Sequence, residues 1–102
     1  MWELIKIRAD YEGWWLFDDW PEHIVETQTF SNDAAFFKAY ESTIKKAKEH
    51  YCNHLVGKHN IYAFYNNCDI QYCEDCEEDL QIFYSFIVRK NKEIYLNMPL
   101  IN

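Results

Sequence analysis

"SNDAAFFKAYESTIKKAKEHY", residues 31–51, is the stretch on which the fold class turns. Phe37, Tyr40, Ile44, Ala47 and Tyr51 recur at steps of three and four, the spacing that lines one face of an α-helix. Ser31 or Asn32 can cap the start by accepting a hydrogen bond from a free backbone N–H. Asp33 then places a negative charge in the first turn, where the helix dipole favours it. At the other end Lys45, Lys46 and Lys48 stand near the negative pole, and Glu41 precedes Lys45 by four residues on the opposite side. The spacing predicts one main helix over about residues 32–51.

Away from this helix the periodicity changes to two. In "WELIKIRADY", residues 2–11, Ile5, Ile7, Ala9 and Tyr11 fall on one side of a strand. Glu12-Gly13 reads as a turn. "WWLFDDW", residues 14–20, follows as a second strand or one with an irregular end, halted by Pro21. "HIVETQTF", residues 23–30, is rich in β-branched residues and reads as another strand. Beyond the helix, Gly57 marks a loop. "NIYAFYN" and "DIQYC" flank Asn66-Asn67 as a hairpin, since Asn tolerates the left-handed backbone that tight turns need. Residues 73–80 suit a helical turn, and "LQIFYSFIVRK" with "EIYLN" forms a second hairpin around Asn91-Lys92. The expectation is an α+β fold: a single small domain over 1–102, with a mostly antiparallel sheet packed on the one helix.

Composition narrows the function classes. A chain of 102 residues can bury a core without a metal or a disulfide. Its aromatic share of 19% exceeds what so small a core absorbs, so aromatic surface is expected to remain exposed. A formal charge of −7 repels phosphate backbones and argues against nucleic acid as a partner. A basic protein partner fits that charge better, although solubility alone also explains it. No apolar run approaches the ~18 residues of a membrane span, and "MWELIKIRAD" is too charged for the centre of a signal peptide. A cytoplasmic location follows as an expectation, and with it four cysteines that are thiols or metal ligands before they are disulfides.

Two patches carry a family resemblance. "WWLFDDWPEHIVE" near the start and "AFYNNCDIQYCEDCEEDLQIFYS" near the end flank the single helix in that order. Together they resemble an uncharacterised family, a domain of unknown function, of small cytosolic proteins from low-GC Gram-positive bacteria. The resemblance spans roughly residues 1–88. It implies a single cytosolic domain and supplies no catalytic residues.

The residues themselves offer three chemistries. Cys73-Glu74-Asp75-Cys76 is a pair of thiols at zinc-ligand spacing. His50 and His54, at i and i+4, would complete a tetrahedral structural zinc site if the helix reached residue 54, and Cys68 or Cys52 are alternative donors. A redox role for the same pair is opposed by Glu74, Asp75, Glu77, Glu78 and Asp79, whose charge favours the protonated thiol. Hydrolytic chemistry has no nucleophile paired with a base, so no catalytic residue is assigned and an enzyme is not expected. The third is a binding surface. Strand alternation would turn Trp14, Leu16 and Asp18 one way, and Trp15, Phe17 and Asp19 the other. Trp20, Asp18, Asp19 and Trp15 are then the partner-binding candidates, offering aromatic faces and carboxylates to a Lys- or Arg-bearing protein. Trp20 is expected on the surface because Pro21 ends the strand beside it. The reading favours a non-catalytic interaction module without a cofactor, with a zinc-stabilised module as the alternative and a homodimer open.

Overall fold

The computed structural model describes residues 1–66, 70–73 and 78–101. Among these residues there are eight strands, β1 (Trp2–Ala9), β2 (Ile24–Phe30), β3 (Asn53–Val56), β4 (Tyr62–Tyr65), β5 (Ile70–Cys73), β6 (Glu78–Gln81), β7 (Phe83–Lys90) and β8 (Glu93–Ile94), and one α-helix, α1 (Asp33–His50). The fold is α+β. Six strands form an antiparallel sheet in the order β2-β1-β7-β4-β3, with β8 folded back on β7, while β5 and β6 pair with each other.

The helix forms where its periodicity places it. Asn32 is the N-cap, its Oδ1 accepting from the Ala35 N–H at 2.7 Å. Phe36, Tyr40, Ile44 and Ala47 are buried against the sheet, whereas Phe37 and Tyr51 lie at its half-buried margins. Trp2 secures the helix start: its ring stacks on Phe36 at 4.3 Å and its indole N–H donates to Asp33 Oδ1 at 2.6 Å.

The central strand β1 is buried on both faces. Trp2 and Leu4 join the helix-side core with Phe64, Phe86 and Val88, while Ile5 and Ile7 join a second core with Ile87 and Ile61. What covers that second face is the segment expected to be a strand. Residues 14–20 are not one: Gly13–Trp15 and Trp20–His23 are separate 3-10 turns, and Leu16 between them has φ 48°. Both sheet neighbours of β1 are already taken by β2 and β7, so the aromatic segment caps the sheet instead of extending it.

Three further expectations change. His54, which the zinc reading needs on an extended helix, lies in strand β3 (Asn53–Val56) on the sheet edge. β4 and β5 do not form a hairpin, because β4 pairs with β3 and β7, while β5 pairs with β6. The helical turn expected at 73–80 meets strand at Glu78–Gln81, and residues 74–77 lie outside the described residues. The Asn91-Lys92 hairpin forms as expected, with φ of 53° and 70° at its two turn residues.

Candidate functional site

The two glycines of the chain both serve the aromatic cap. Gly13 lies so close to β7 that a Cβ there would stand 2.4 Å from Ser85 Cβ, and its N–H donates to the buried Ser85 Oγ at 2.9 Å. Gly57 lies flat against Trp14, where an added Cβ would come within 2.1–2.5 Å of the indole. Trp20 closes the cap from the other end. It packs with Ile5, Ile7, Ile61 and Ile87, and the Arg89 guanidinium lies 5.8 Å from its ring centre. Arg89 in turn donates to Glu3 Oε2 at 3.0 Å.

This corrects the place of Trp20. It is 7% exposed, a core residue, because the second 3-10 turn aims it back at the sheet. Of the two tryptophans at the start of the segment Trp15 is the exposed one, at 47%, and Phe17 is 50% exposed. Leu16 explains the division. Its left-handed backbone, costly for a residue with a Cβ, turns Leu16 toward Ile5 and Ile7 and leaves its two neighbours facing outward.

The exposed rings are held in a polar frame. Trp15 Nε1 donates to Glu12 Oε2 at 2.8 Å, and the Lys58 ammonium sits 4.9 Å from the Trp15 ring centre. Phe17 meets Tyr11 edge-on at 4.7 Å. Tyr11 donates to Asp19 Oδ1 at 3.3 Å, and the other oxygen of Asp19 lies 3.3 Å from His23 Nε2. Burial and then the Asp19 carboxylate push the Tyr11 phenol up to about 12, so it acts as a hydrogen-bond donor rather than a base. Asp19 is therefore largely occupied in fixing the loop. Asp18 is exposed and carries no hydrogen bond or ion pair among the described residues. Alternation grouped Phe17 with Trp15 and Asp19 and set Asp18 on the other side; that all four are exposed follows from the turn at Leu16, and Lys58 reaches Trp15 only through the return of the loop after β3.

The zinc expectation divides. The helix ends at His50, and His54 lies in β3 with its ring 5.8 Å from Phe64, so the two histidines do not share a helical face. Cys52 is exposed and its N–H donates to Asn66 Oδ1. Cys68 and Cys76 lie outside the described residues, as does the side chain of Cys73. Among the described residues no three His, Cys, Asp or Glu side chains gather closely enough to hold a metal ion, and no helix is long and apolar enough to cross a membrane.

A family model described as "Protein of unknown function (DUF1033)" matches residues 1–98. No curated protein and no solved structure matches the chain.

Proposed function

Since the chain belongs to the DUF1033 family, described only as of unknown function, we propose a role for it from its own surface: a protein-interaction module that binds a basic segment of a partner. The observation that carries this reading is the exposure of Trp15 and Phe17 on a loop whose other large apolar residues, Trp14, Leu16 and Trp20, anchor it to the sheet. The turn at Leu16 buries that residue but leaves the two rings flanking it in water, and aromatic anchors of this kind supply interface energy. The carboxylates of Glu12, Asp18 and Asp19 around them favour Lys or Arg on the partner. Lys58 over Trp15 supports this directly, being a cation of the chain itself in the position a partner cation would take.

The test separates surface from core. Trp15→Ala with Phe17→Ala should leave the unfolding free energy within about 0.5 kcal/mol of wild type, and weaken capture of a partner at least about tenfold. Asp18→Asn should weaken the same capture more at low salt than at high salt. Trp20→Ala should instead cost about 3–5 kcal/mol of stability. Undiminished capture by the double variant would remove the patch from the interface.

A further inference from the structure

A second site lies on the opposite side of the sheet, where α1 leaves the edge strand β2. There a groove of about 470 Å³ runs between the C-terminal half of the helix and strands β1 and β2. Lys6, Lys46 and His50 reach it from three directions: the middle of β1, the last turns of the helix, and the helix end. Thr43, Gln28 and Glu26 complete its polar lining.

The charge here runs against the chain. Acids outnumber lysine and arginine by seventeen to ten, yet two lysines and a histidine line this groove beside one carboxylate. That carboxylate lies across the strand from Lys6 but does not neutralise it by direct contact: Glu26 Oε1 accepts from Gln28 Nε2 at 3.3 Å and makes no ion pair with Lys6 among the described residues. The helix dipole accounts for basic residues such as Lys46 and His50 in its last turns. It does not account for Lys6, which the sheet delivers half-buried into the groove. Among the described residues its ammonium meets only ring faces, 5.1 Å from the centre of Tyr84 and 5.8 Å from that of Tyr51. A half-buried cation without a carboxylate has lost part of its hydration, and an arriving anion restores what was lost. Two helix lysines differ in being engaged, Lys45 paired with Glu41 and Lys48 donating to the Ile101 carbonyl, while Lys58 and Lys90, which also lie over rings, are exposed.

We propose that this groove binds a small phosphomonoester, its phosphate held by Lys6, Lys46 and His50 and its hydroxyl or amine groups by Glu26 and Gln28. Two ammoniums and an imidazole match a doubly charged tetrahedral anion better than a single carboxylate. The volume falls in the range of small-molecule sites, about 300–1,000 Å³.

Amide chemical shifts followed by NMR test it, with inorganic phosphate, ribose 5-phosphate and ribose as separate titrants at constant ionic strength. Ribose 5-phosphate should move the amides around residues 6, 26, 46 and 50, bind more tightly than inorganic phosphate, and exceed ribose throughout. Lys6→Met, which keeps the apolar stem, and Lys46→Gln should each weaken it about fivefold or more, the size of one lost charge-assisted bond. Lys58→Gln, on the other face, should change nothing. Equal shifts with sodium chloride, or undiminished binding by Lys6→Met, would overturn the site. Ribose 5-phosphate binding no more tightly than inorganic phosphate would overturn the phosphomonoester assignment.

Discussion

Gly57 does its work by what it lacks. Its φ of −115° is not left-handed, and the requirement that stands out is steric. The Trp14 indole occupies the space of its missing Cβ. Gly57→Ala should therefore displace a large rigid ring and cost about 1–3 kcal/mol, the range of overpacked interiors. Urea denaturation followed by tryptophan fluorescence reads both the loss and the new exposure of Trp14. Trp14→Ala in the same background should relieve part of it, because two residues in contact do not add. Nothing in the sequence around Gly57 connects it with Trp14, forty-three positions earlier. The glycine could be read as a loop marker, but the contact that requires it is tertiary.

At the scale of elements, the helix and the aromatic cap are opposites. The helix carries its instructions locally: a cap, an acid in the first turn, and an apolar stripe. Asn32→Ala should remove the bond to the Ala35 N–H and cost about 1 kcal/mol, lowering the melting temperature by roughly 4–8 °C for a domain of this size. A thermal scan by far-ultraviolet circular dichroism measures it. The aromatic segment carries alternation just as clearly, yet it is not a strand. A strand needs a neighbour, and β1 has none to spare once β2 and β7 flank it. The same competition defeats the β4–β5 hairpin, since β4 is claimed by β3 and β7. The β7–β8 hairpin succeeds because its two turn residues and both strands are adjacent in the chain.

Over the whole molecule, the sheet separates two surfaces of opposite sign, the acidic aromatic cap on one face and the cationic groove on the other. The buried aromatics also set its response to alkali. Burial raises the Tyr40 phenol above its ordinary value, and burial with Asp19 raises Tyr11 to about 12. In the unfolded chain both phenols release their protons near pH ~10, so their contribution is complete below that pH and is lost as pH climbs through the folded values. Urea titrations between about pH 9 and 12 should show stability falling, with a shallower fall in Tyr40→Phe, which has no proton to release. An unchanged slope would mean that Tyr40 ionises alike in both states.

What the sequence determined by itself was whatever rests on near neighbours: the helix and its cap, the period-two segments, the Asn91-Lys92 turn, the excess of acid and the surplus of aromatic side chains. Alternation separated Trp14 from Trp15 without deciding which of them faced outward. The tertiary structure decided which strands pair, that Trp20 is core, that Trp15 and Phe17 are exposed with Lys58 over Trp15, and that Lys6 meets Lys46 and His50 in one groove. The reason is physical. A period fixes which way a side chain points along its own backbone, but not which other segment occupies the space it points into.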